Sequence, residues 1–147
     1  MADTEFDIIV YGATGYTGRL VAEHFVREYG AAADGPKWAM AGRSMDKLEA
    51  VRDEIGSPVT TPLVVADADD PASLEAMCRR TKVVLSTVGP YQLYGDKLVA
   101  ACVKTGTDYA DLCGEPAWMR EQIDLHHEAA KTSGARITFS SGFDSIP

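Results

Sequence analysis

Short apolar runs rich in β-branched residues alternate along this chain with segments whose apolar positions recur every three or four residues. Phe6-Asp7-Ile8-Ile9-Val10-Tyr11 is the first such run; it ends at glycine and predicts a buried strand. From Tyr16 to Tyr29, Leu20, Val21, Phe25 and Val26 fall at helical spacing, and Gly30 with the Ala-rich stretch to Pro36 stops that helix. Trp38–Ala41 predicts a second strand and Met45–Ile55 a second helix, closed by Gly56 and Pro58. Leu63–Ala66 predicts a third strand, Ser73–Arg80 a short helix and Val83–Ser86 a fourth strand. Lys97–Val103 then predicts a helix, Thr107–Ala110 a weak fifth strand, Pro116–Thr132 a longer helix and Arg136–Ser140 a sixth strand. Strand and helix in strict alternation require right-handed crossovers and hence a parallel sheet. The expected fold class is α/β, a doubly wound parallel sheet of about six strands with helices on both faces.

Composition narrows the classes of partner. With 147 residues the chain is one domain's worth, and a domain of that size buries roughly 68–70% of its unfolded surface. A net charge of −8 argues against nucleic acid as a partner, because phosphate binding needs clustered Lys and Arg. The three cysteines, Cys78, Cys102 and Cys113, have no CxxC spacing, so neither a disulfide framework nor a zinc site is expected, and no metal is assigned. The acidic start and the lack of a run of 18 apolar residues predict a cytoplasmic protein, with peripheral membrane association through other regions left open.

Candidate chemistry gathers at the ends of the predicted strands. Straight after the first strand stands Gly12-Ala13-Thr14-Gly15-Tyr16-Thr17-Gly18, with a helix beginning inside it. Strand, glycine turn and helix N-terminus within one βαβ unit make the Rossmann arrangement for a dinucleotide pyrophosphate. Gly12 serves the tight turn, Gly15 the approach of backbone to pyrophosphate, and Gly18 close packing of helix on sheet. N–H groups of Thr14 to Gly18 and the positive end of the helix dipole supply the binding. The second strand ends in Ala41-Gly42-Arg43-Ser44. An acidic residue at this point would hold a ribose 2′-hydroxyl; Arg43 instead offers a planar fork to a 2′-phosphate, with Ser44 as helix cap and Lys47 one turn on. NADP(H) is therefore expected over NAD(H). Asp67, ending the third strand, is a partner for the adenine amino group or a cap for the next helix. After the fourth strand comes Ser86-Thr87-Val88-Gly89-Pro90-Tyr91, whose small residues and glycine would let the ribose and nicotinamide half lie over the sheet, with Val88, Gly89, Pro90 and Tyr91 as the cofactor-binding residues.

These blocks resemble the saccharopine dehydrogenase-like oxidoreductases, and within them the branch that includes the trans-acting enoyl reductases of lipid biosynthesis. The likeness runs over essentially the whole chain. It rests on Phe6–Gly18, Ala41-Gly42-Arg43-Ser44, Gly89-Pro90-Tyr91 with Tyr94-Gly95, Asp108–Glu115 and Gly142–Pro147. It implies that residues 1–147 are a dinucleotide-binding domain whose substrate domain lies in further polypeptide. Hydride transfer to an enoyl lipid or an imine is the activity so implied, with the nicotinamide dinucleotide and that second domain as partners. An NADP-sensing or non-catalytic module is the alternative. Residues for catalysis are not assigned, and self-association is left open.

Other conspicuous residues carry less. Cys113 is expected to be a small packed thiol. Adjacent His126 and His127 point about 100° apart on a helix and cannot form an i, i+4 metal pair. Glu115 and Asp144, at strand ends facing the crevice, are expected to cap or to bond loops, with orienting a substrate as the alternative.

Overall fold

The computed structural model describes residues 3–30 and 33–143; Asp144 and the rest of the Gly142–Pro147 block after Phe143 lie outside the described residues. Six parallel strands form one sheet in the order β3-β2-β1-β4-β5-β6. They are β1 Phe6–Tyr11, β2 Trp38–Gly42, β3 Leu63–Val65, β4 Thr81–Ser86, β5 Asp108–Asp111 and β6 Ile137–Thr138. The helices are α1 Tyr16–Tyr29, α2 Met45–Glu54, α3 Pro71–Cys78, α4 Tyr91–Tyr94, α5 Asp96–Thr105 and α6 Pro116–Ser133. The expected doubly wound architecture is thus what the chain adopts.

Alternation along the central strands divides the core in two. Ile9 and Tyr11 of β1, with Ala39, Ala41, Val64, Val84 and Tyr109, pack against α3, α5 and α6 through Leu74, Met77, Val99, Cys102 and Trp118. Val10 and Met40, pointing the other way, meet Ala22 and Phe25 of α1 and Leu48 and Val51 of α2. Successive strand residues face opposite sides, so β1 is buried on both. This is why its sequence reads as an unbroken apolar run.

Register levels the carboxyl ends of the strands. Tyr11 pairs with Ala41 of β2 and with Ser86 of β4, so the loops after all three open on one edge. The sheet order turns back between β1 and β4, and at such a switch point two diverging loops leave a crevice.

Several boundaries differ from expectation, each for a local reason. Helix α3 starts at Pro71 rather than Ser73: proline at N1 has no N–H to satisfy, and Asp70 Oδ1 accepts the Ala72 N–H at 3.0 Å. Asp70 therefore takes the capping role weighed for Asp67. Strand β4 extends back to Thr81, and β6 shrinks to Ile137–Thr138. Helix α4 was not anticipated, because what caps it is remote in sequence. The Glu115 carboxylate accepts the N–H groups of Tyr91 (2.7 Å) and Gln92 (3.2 Å) from 24 and 23 residues away.

Candidate functional site

The glycine turn is built by close packing rather than by side chains. Gly12 has φ +89°, and a Cβ there would stand 2.7 Å from both Thr87 Oγ1 and Val88 Cγ2. At Gly18 a Cβ would overlap the Gly12 carbonyl oxygen and lie 2.6 Å from its carbon. Thr87 pins the turn from β4: its N–H and its hydroxyl both donate to the Tyr11 carbonyl at 3.0 Å. Gly15 differs from both: a Cβ there meets only the Gly12 oxygen, at 3.4 Å. Gly15 is also the N-cap of α1 and supplies no side-chain hydrogen bond. The first-turn N–H groups, left without a protein cap, carry the positive end of the helix dipole.

Around this turn lies a crevice of about 310 Å³, lined by Tyr11, Gly12, Thr14, Gly15, Gly42, Arg43, Asp67, Ala68, Asp69, Thr87, Val88, Gly89 and Tyr94. Arg43 is exposed directly after β2, one residue before the N-cap of α2, Ser44, whose side chain accepts the Lys47 N–H. Every other arginine has a partner: Arg19, Arg27, Arg79, Arg80, Arg120 and Arg136 pair with carboxylates, and Arg52 donates to the Thr61 carbonyl. Among the described residues Arg43 makes neither an ion pair nor a hydrogen bond, and an unpaired guanidinium lining the same crevice as the uncapped start of α1 favours an anion.

The loop after β3 lines the same crevice as Arg43. Asp67 Oδ1 accepts the Asp69 N–H at 2.9 Å, folding that loop on itself, and Lys97 Nζ donates to the Asp69 carbonyl at 3.2 Å from α5. Tyr11 lies beneath the crevice, where burial together with the Asp67 and Asp69 carboxylates pushes its phenol up to about 12, against the opposing pull of Arg43.

Of the residues singled out from sequence, Gly12, Thr14, Gly15, Arg43, Asp67, Val88 and Gly89 are brought together in this crevice. Gly18 is beneath it as the packing contact, and Ser44 adjoins it as the α2 cap. Tyr16 and Thr17 are exposed on the first turn of α1, and Pro90 is exposed before α4; none of the three is among the crevice's lining residues. Tyr91 is corrected outright as a lining side chain. It is buried, donates its hydroxyl to the Ser86 carbonyl at 3.1 Å and stacks against Trp118. One helical turn of α4 separates it from Tyr94, which takes the exposed place. Helix α4 is not visible in a linear pattern, so the places of Tyr94 and Tyr11 in the crevice wall escape sequence reasoning.

Other candidates resolve as packing. Cys113 is buried, its Sγ accepts the Glu115 N–H at 3.3 Å, and burial raises the thiol to about 11, far from a reactive thiolate. His126 and His127 line a separate hollow between α5, α6 and β6, and no group of His, Cys, Asp and Glu among the described residues is arranged to hold a metal. No described helix is long and apolar enough to cross a membrane. Glu115 serves as the cap of α4. Replacing it with alanine leaves two backbone donors unpaired, so we expect a loss of about 1–3 kcal/mol in denaturant unfolding, and Glu115→Gln, whose amide has one accepting oxygen in place of two, should recover only part of it.

A family model described as the saccharopine dehydrogenase NADP binding domain matches residues 8–137. The trans-acting enoyl reductase of Mycobacterium leprae is 54% identical over 144 residues, which are 97% of this chain and 34% of that protein. The chain thus spans about a third of the length of the curated relatives it matches. Saccharopine dehydrogenase (L-Glu forming) from Saccharomyces cerevisiae superposes with a TM-score of 0.66 at 18% identity, over 93% of this chain and 27% of that one. Triphenylmethane reductase of Citrobacter sp. complexed with NADP(H) gives 0.62 at 20% identity, over 90% of this chain and 48% of that one. At such identities the two structures speak for the shared fold.

Proposed function

This chain belongs to the family of saccharopine dehydrogenase NADP-binding domains, and from that premise we propose that NADP(H) lies in the β1–β4 crevice with its 2′-phosphate on Arg43. The observation that carries the reading is the unpartnered Arg43 guanidinium beside an uncapped, glycine-built helix N-terminus. The fit is chemical as well as spatial. Gly12 and Gly18 let the turn close tightly on β1 and β4, Gly15 leaves space at the helix start, and the N–H groups of Thr14 and of the uncapped first turn, those of exposed Tyr16 and Thr17 included, meet the pyrophosphate, the Gly15 N–H being held by the Gly12 carbonyl. Ser44 holds the start of α2 so that Arg43 projects beside it. Asp67 keeps one carboxylate oxygen for the adenine amino group while the other closes its loop. Val88, Gly89 and the Pro90 segment give the ribose and nicotinamide half a floor of small groups, walled by Tyr94 rather than by Tyr91.

When bound, NADPH supplies the hydride for reduction of an acceptor, and the protein's part is to bind, orient and shield. The acceptor we propose is an activated carbon–carbon double bond, as the word enoyl in the name of the mycobacterial relatives suggests, carried on a lipid as the family resemblance implies. An imine is the alternative within the same reaction class. Residues 1–147 form the cofactor half, and further polypeptide closes over the nicotinamide. In support, Val88, Gly89 and Tyr94 bring small groups and one phenol to that end, and among the described residues no histidine or lysine lines the crevice.

The test is binding set against turnover. NADPH at about 100 times its dissociation constant should stabilise the 147-residue chain by roughly 2.7 kcal/mol through mass action, read as a rise in melting temperature. The same preparation should consume no NADPH with enoyl, imine or aldehyde compounds. Absence of thermal protection overturns the binding site, and robust turnover by these residues alone overturns the two-domain reading.

A further inference from the structure

Three tyrosines of this domain are almost wholly buried: Tyr11 at 3% exposure, Tyr91 at 4% and Tyr109 at 1%. A buried phenol ordinarily finds a hydrogen-bond partner, since burying an unmade bond is costly. Two of the three obey. Tyr91 donates to the Ser86 carbonyl at 3.1 Å, and Tyr109 to Asp111 Oδ2 at 2.6 Å. Tyr11 is the exception. Its hydroxyl bonds to no described residue, yet it is not among the sealed polar atoms of the interior, and the residue lines the crevice. The ring is fixed by the core, packed among the β1, β2, β4 and α3 side chains, while its polar tip reaches the one place where a ligand can meet it.

The surroundings indicate what kind of atom it meets. The phenol is protonated near neutral pH, as any tyrosine is, and burial with the two neighbouring carboxylates only raises it further, so it has a proton to donate. Asp67 and Asp69 weigh on it more strongly than Arg43 does, so its corner of the crevice repels phosphate while Arg43's attracts it. A neutral acceptor remains: an adenine ring nitrogen or a ribose oxygen. We propose that Tyr11 is a cofactor-binding residue whose hydroxyl donates to the adenosine moiety of the dinucleotide, independently of the 2′-phosphate. This rests on the cofactor reading above and deepens it. Arg43 chooses between NADP and NAD, whereas Tyr11 strengthens both.

Tyr11→Phe removes the hydroxyl and keeps the ring. Titration calorimetry on the 147-residue chain should show NADPH, NADH and adenosine 2′,5′-bisphosphate each weakened about five- to tenfold, the ordinary worth of one hydrogen bond. The NADPH-to-NADH affinity ratio should stay unchanged, and the melting temperature of the ligand-free variant unchanged or slightly raised, because no internal bond is lost. Arg43→Ala in parallel should weaken NADPH and the bisphosphate but spare NADH. Parent affinities for all three ligands in Tyr11→Phe would overturn the proposal. So would a loss confined to the 2′-phosphorylated ligands, a loss absent from the nicotinamide-free bisphosphate, or a lowered melting temperature that accounts for the weaker binding. If the unmodified chain binds neither dinucleotide, the cofactor reading itself fails and takes this inference with it.

Discussion

Gly18→Val is expected to unfold the domain, whereas Gly15→Val, three residues earlier in the same turn, leaves it folded and unable to bind NADP(H). The two glycines look alike in sequence and differ in what surrounds them. At Gly18 the first added carbon overlaps the Gly12 carbonyl and lies 2.8 Å from Thr87 Oγ1. Relief requires moving α1 off β1, and with it Ala22 and Phe25 out of the core they share with Val10 and Met40. Helix propensity favours a non-glycine residue by about 1 kcal/mol, far less than such a displacement costs. We expect a loss of about 4 kcal/mol or more, a large part of the stability of an ordinary domain. At Gly15 the backbone has φ −79° and ψ 169°, which valine readily adopts, and the only close atom is 3.4 Å away. The branched side chain then occupies the crevice beside the uncapped N–H groups. Circular dichroism melts and titration with NADPH separate the two outcomes. A Gly18→Val protein with parental stability would contradict the packing argument, and a Gly15→Val protein with parental affinity would move the phosphate site elsewhere.

The second large effect is a change of cofactor. Arg43→Asp puts a carboxylate where a guanidinium stands free, beside a loop that already carries Asp67 and Asp69. Charge-assisted bonds to a 2′-phosphate are lost, at about 1.5–3 kcal/mol, and repulsion is added. NADP(H) affinity should fall roughly a hundredfold, while NAD(H), whose 2′-hydroxyl can donate to the new carboxylate, should bind as well as before or better. Equal losses for the two dinucleotides would show that Arg43 does not meet the 2′-phosphate. Stability should hardly change, because Arg43 has no partner to leave behind.

Much of this was legible in the linear order of residues, and the reason is the same each time. Signals that act over a few neighbours survive in a sequence. The apolar β1 run, the helical spacing of Leu20 to Val26, the glycines at 12, 15 and 18, and arginine in place of an acidic residue after β2 all concern contacts within one βαβ unit. They determined the fold class and the strand-end crevice, and they carry the expectation of a 2′-phosphate on Arg43. What tertiary structure decided were pairings between distant residues. Helix α4 exists because Glu115 caps it from beyond β5, and that turn exchanges Tyr91 for Tyr94 at the crevice wall. Asp70, helped by Pro71, frees Asp67 from capping α3. That Arg43 is unpaired, and that the Tyr11 hydroxyl lacks the partner its two buried counterparts have, are facts about what is absent nearby in space. A sequence names the residues able to form such bonds, but only the folded chain brings the candidates within reach or leaves a donor facing the crevice.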